Sequence, residues 1–113
     1  MYLQGGDPKT PACQTVPLGP NATSPNYLDF GLIHEFMHTI GAAATCAPHS
    51  VGDGHVGDTP NDLMYAGSAP WGVPNLVLDY GHNDYYKTGS TSCLDVANSA
   101  FLSGGGTQLP PGW

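Results

Sequence analysis

Leu32-Ile33-His34-Glu35-Phe36-Met37-His38-Thr39-Ile40-Gly41 decides how the rest of the chain is read. His34 and His38 are four residues apart. On a helix they share one face, about 6 Å apart along the axis, so both imidazoles can reach a single cation. Glu35 is the only glutamate in the chain and directly follows the first histidine. In a helical His-Glu-x-x-His the carboxylate points toward a water activated by the metal and can take its proton. The pattern therefore predicts a zinc site with His34 and His38 as ligands and Glu35 as general base.

The apolar residues around this motif recur with helical spacing. Phe30, Ile33, Met37 and Ile40 form a stripe, and the histidines occupy the adjoining face, which predicts a helix over residues 27–43. Ser24-Pro25-Asn26 supplies a capping side chain and a proline for its first turn, and Gly41 can end or bend it. Residues 1–25 are proline-rich without periodicity and read as an extended entry. Residues 44–75 are rich in Gly, Pro, Asp and Asn, which predicts an ordered but irregular loop. A loop of that length in a small domain is usually functional or held by a ligand. Residues 76–87 are expected to give a short strand or helical turn. Leu94, Ala97, Phe101 and Leu102 predict a short C-terminal helix over residues 92–102, followed by a flexible tail from 103 to 113.

The 113 residues fit one domain with a small core. Lys9 and Lys87 are the only basic residues, and eight aspartates join Glu35 to give a net charge of −7. Phosphate-backbone binding needs Lys and Arg, so nucleic acid is excluded as a partner, and adhesion to an anionic membrane is disfavoured. No stretch approaches the roughly 20 apolar residues of a membrane span. Low charge, abundant Gly and Pro, and cysteines outside any CxxC pattern suit a secreted protein. Of the three cysteines, Cys46 follows the predicted helix and Cys93 precedes the last apolar segment, so a Cys46–Cys93 disulfide is expected. Cys13 is then left without a mate, which suggests that an upstream segment is missing.

A zinc that activates water needs a third protein ligand. Thermolysin-like enzymes take it from a downstream glutamate, and no glutamate follows Glu35. The segment from His34 to Gly41 instead resembles the metzincin core, HExxHxxG followed two residues later by the third ligand. Asp62-Leu63-Met64-Tyr65 resembles the metzincin Met-turn, with Met64 beneath the metal. The likeness covers about residues 28–67 and extends to secreted bacterial metzincin-like peptidases.

The sequence departs from that pattern at Ala44, where a metzincin carries the ligand. Alanine cannot bind zinc, so the ligand must come from further along. His55 is the first choice because Gly54 and Gly57 flank it and allow close backbone approach. His49 and Asp62 remain alternatives, the latter because residues 59–65 also resemble the TxxDxxY of aspartate-liganded zincins. Asp58 or Asp62 is a candidate acceptor for a ligand imidazole. Tyr65 is a candidate oxyanion donor, as tyrosines are in related peptidases. Aspartates 53, 58, 62, 79 and 84 include potential calcium ligands, without EF-hand spacing.

The resemblance implies an α+β, zincin-like fold: an active-site helix, a long irregular loop region and a short C-terminal helix. It also implies a secreted zinc endopeptidase acting on a protein or peptide substrate. Too few residues precede the helix for the usual metzincin sheet. That subdomain is expected to be missing or reduced, supplied by an absent N-terminal segment or by a partner chain. Two other readings stay open, a catalytically silent zinc-binding module and a metal-dependent hydrolase of a non-peptide substrate.

Overall fold

The His-Glu-x-x-His segment lies in α1, Tyr27–Thr39, the one α-helix among the described residues. The computed structural model describes residues 27–68, 71, 72, 75–102 and 106–110. The expected helix cap at residues 24–26, the extended entry and Cys13 lie outside them. Helix α1 ends through a Schellman motif. Gly41 adopts φ +82°, its N–H bonds the His38 carbonyl at 3.1 Å, and the Ala42 N–H reaches back to Met37 at 3.0 Å. A positive φ at this position is what glycine supplies without a side-chain clash. The helix therefore stops four residues short of the expected 43.

Its buried face also differs from the expected stripe. Met37 and Ile40 are buried and Phe30 packs at the edge of the core, but Ile33 is 47% exposed. The inward position between Phe30 and Met37 belongs to His34, which is buried. An imidazole can take that place because its ring nitrogens find partners there.

The predicted irregular loop contains a hairpin. Strand β1, Ser50–Gly52, pairs antiparallel with β2, His55–Val56, with Gly52 opposite His55. Asp53 and Gly54 connect the strands with φ of 52° and 76°. Two successive positive φ values fit the I′ class of hairpin turn, for which Asp-Gly is a preferred pair. On its other side β2 meets the next segment: the Val56 N–H bonds Met64 and the Ala66 N–H bonds Val56, each at 3.0 Å. Leu63 and Val77 then extend the contact through a parallel bridge between Asp62 and Val77.

The core gathers Met37 from α1, Ile40, Ala42 and Ala43 just after it, Val56 from β2, Leu63, Met64 and Tyr85 from the loops, and Val96 from a later 3₁₀ turn. Met64 and Tyr85 are fully buried. With so little regular structure, aspartate side chains satisfy much of the loop backbone. Asp79 accepts from the N–H groups of Asn83, Asp84, Tyr85 and Tyr86. Asp95 accepts from the N–H groups of Lys87 and Ala97 and from the Thr88 hydroxyl.

The C-terminal region also departs from expectation. Only Val96–Asn98 is helical, as a single 3₁₀ turn capped by the Asp95 side chain. Ala97 and Phe101 are exposed, so no apolar face exists to stabilise a longer helix. The chain pairs instead with residues 106–110 of the expected flexible tail. Ala100 N–H donates to the Gln108 carbonyl at 2.8 Å, and Gln108 N–H donates to Asn98 at 3.0 Å. Pro110 is buried; a side chain at Gly41 would meet its Cβ at 3.0 Å. The expected disulfide is present: Cys46 is bonded to Cys93 across a separation of 47 residues.

Candidate metal centre

Three histidines from two elements meet at one point. His34 and His38 project from α1, and His55 opens β2 directly after the Asp53-Gly54 turn. The Nε2 atoms of His38 and His55 lie 3.0 and 3.2 Å from Nε2 of His34. The ring centroids are 4.6 to 5.1 Å apart. Glycine 54 makes this approach possible, since a Cβ there would stand 2.7 Å from Nδ1 of His38.

This donor set suits a metal ion. A proton can bridge one pair of imidazole nitrogens, but three converging lone pairs call for a cation. Nitrogens bound at 2.0–2.1 Å around a tetrahedral ion stand about 3.3–3.4 Å apart, close to the spacing seen here. Nδ1 of His34 donates to the Leu63 carbonyl at 2.8 Å. That bond fixes the tautomer and leaves Nε2 free to coordinate. Burial lowers the pKa of His34, partly opposed by the Leu63 bond. Burial also lowers that of His38, helped by the neighbouring His34 and His55. Both effects keep the imidazoles neutral, the form that binds metals.

Glu35 is half-buried beside His34. Its charge acts on both His34 and His38, so the carboxylate lies within electrostatic reach of both rings. The aromatic ring set against the centre is Trp71, 5.2 Å from His34 and tilted by 65°. Its indole N–H donates to the Tyr65 carbonyl at 3.2 Å. Tyr65 thus supports the centre through its backbone, while its phenol packs over Gly67.

The alternative ligands are occupied elsewhere. Nδ1 of His49 pairs with Asp84 at 3.0 Å, and its backbone N–H donates to the same carboxylate at 2.8 Å. With exposed Asp58 these two make a second group whose ligand atoms lie within 4.8 Å of one another. Asp62 is fully buried and accepts from Met64, Tyr80 and Tyr85. The acceptor for a ligand imidazole is accordingly the Leu63 carbonyl, where Asp58 or Asp62 was expected. A main-chain carbonyl has no signature in sequence, and neither does Trp71, which lies in a Gly- and Pro-rich stretch. Beside α1, Phe30, Ile33, Leu63, Leu76, Val77 and Leu78 line an apolar cavity of about 270 Å³.

Comparison with known protein families, curated proteins and solved structures returns no match. Among the described residues no helix is long and apolar enough to cross a membrane. The disulfide suits an oxidising compartment.

Proposed function

We propose that this chain is a secreted, zinc-dependent endopeptidase with metzincin-like chemistry, its metal held by His34, His38 and His55. The observation that carries the reading is the convergence of the Nε2 atoms of His34 and His38 on α1 with that of His55 on β2, with Glu35 directly after His34 in the chain. Three imidazoles leave a fourth position open, the donor set of a catalytic zinc site. Zinc there supplies Lewis acidity, polarising the scissile carbonyl and lowering the pKa of water. Glu35 accepts the proton of the attacking water and delivers it to the leaving amine. His34 is held in its coordinating tautomer by Leu63, and the Trp71 ring stands against His34. The apolar cavity beside α1 suits an aliphatic or aromatic side chain of the substrate.

The test combines metal content with turnover. The purified protein is expected to carry one equivalent of zinc and to cleave casein in a reaction that chelator stops. Glu35→Gln should keep the zinc and lose activity by roughly 10²–10⁴-fold, the scale of a lost general base. Unchanged turnover in that variant would remove Glu35 from the mechanism. Zinc without proteolysis would favour a binding module or a hydrolase of another substrate.

A further inference from the structure

The peptide between Leu63 and Met64 connects the metal centre to a buried acid. Its carbonyl accepts from Nδ1 of His34 at 2.8 Å. Its N–H donates to Oδ1 of Asp62, also at 2.8 Å. A peptide unit is planar and its N–H and C=O point in opposite directions, so fixing one end aims the other. Asp62 is fully buried and is itself held in place. The Tyr85 hydroxyl donates to Oδ1 at 2.7 Å and the Tyr80 N–H donates to Oδ2 at 2.8 Å. Tyr85 is anchored in turn, since its N–H donates to Asp79 at 2.8 Å.

We propose that Asp62 and Tyr85 are positioning residues for the metal centre, acting through the 63–64 peptide on His34. The relay runs from the Tyr85 hydroxyl to the Asp62 carboxylate, through the peptide, to Nδ1 of His34. It aims the carbonyl that sets the imidazole's orientation and tautomer. It also makes that carbonyl a stronger acceptor, because a carboxylate on the N–H end polarises the peptide. A more strongly held Nδ1–H makes Nε2 a better ligand. Asp62 thus contributes without touching the metal, two bonded steps behind His34.

This inference rests on the proposed metal site, and the experiment separates the two. Zinc affinity is measured by competition with a chromogenic chelator for the wild-type chain, Asp62→Asn, Tyr85→Phe and Asp95→Asn. In the metal-free proteins, ¹⁵N NMR of the His34 ring reports the tautomer. Asp95 is the control, a buried aspartate that also organises loop N–H groups but has no bond to the 63–64 peptide. Asp62→Asn is expected to weaken zinc by about 10–100-fold, the effect typical of groups that orient a ligand. Tyr85→Phe keeps the ring in the core and should shift affinity in the same direction by less. Both should reduce the Nδ1–H population of His34, and Asp95→Asn should change neither readout. Unchanged affinity and tautomer in folded Asp62→Asn and Tyr85→Phe would overturn the proposal. An equal loss in Asp95→Asn would do so too, by tracing the effect to general destabilisation. If Asp62→Asn does not fold, Tyr85→Phe decides. If the wild-type chain binds no zinc, the metal reading fails and the tautomer measurement still judges the relay.

Discussion

Glycine 54 and Gly57 flank His55 alike in sequence, yet the structure gives them unequal work. A Cβ at Gly54 would strike the His38 ring, and the residue also holds φ +76°. A Cβ at Gly57 would meet only the side chain of Val51, which is exposed and can turn aside. Gly54→Ala should therefore cost about 1–2 kcal/mol in backbone strain and displace His38, weakening zinc at least tenfold. Gly57→Ala should leave affinity nearly unchanged; equal losses in chelator competition would contradict this reading of the hairpin. His49 offers a second check at the same scale. Its bond to Asp84 raises its pKa above the ordinary 6.5. A histidine whose folded pKa is raised adds stability that is complete below the unfolded value and disappears as pH rises through the folded one. His49→Gln should accordingly destabilise the protein more at pH 6 than at pH 9 in urea titrations. The His49 ring is 44% exposed, so salt should shrink the difference. Asp62 shows the opposite balance. Burial raises its carboxyl to about 6 although three donors pull it down, so its share of stability falls as pH rises from about 4 to 6.

Helix α1 was readable because its periodicity, its motif and its terminal glycine agree over a dozen residues. The inward face departs from the apolar stripe at Ile33 because a hydrophobicity pattern treats histidine as polar surface. His34 is buried on the strength of a bond to Leu63, 29 residues away, which local pattern cannot contain. The hairpin has a local sequence signal in Asp53-Gly54, but strands of only two and three residues leave no alternating pattern to flank it. That turn delivers His55 to α1, a placement that ligand chemistry alone does not explain. The C-terminal helix failed for a tertiary reason: Gln108 captures the Ala100 N–H that the helix would need. Between these elements the Cys46–Cys93 bond ties the segment before the hairpin to the segment before the 3₁₀ turn. For a loop of this length the chain-entropy model gives about 4 kcal/mol. Reduction and blocking of both thiols should lower the unfolding free energy by a few kcal/mol; an unchanged denaturant midpoint would show the tether to be dispensable.

Four aspartates, 62, 79, 84 and 95, are buried in a chain of net charge −7. The chain has no arginine, and the described lysine, Lys87, stands over the Tyr86 ring. These carboxylates lean on backbone N–H groups, and in the case of Asp84 on His49. Such contacts fix loops without adding to the apolar burial that normally dominates stability. A small domain of this kind needs staples beyond its core. The disulfide is one, and under the proposed reading a bound ion is the other. His55 lies in β2, beyond the loop that follows α1, so an ion joining their imidazoles would close that loop in the folded state only. Binding to the folded form alone stabilises by RT ln(1 + [L]/Kd), about 4 kcal/mol at a thousandfold excess over Kd. The thermal midpoint should therefore rise with free zinc and fall in chelator. His55→Ala should unfold at the chelated wild-type midpoint and respond little to zinc, while His49→Gln should keep the full response. A zinc-insensitive wild-type midpoint, or a zinc response lost in His49→Gln and kept in His55→Ala, would move the stabilising ion away from the three-histidine cluster.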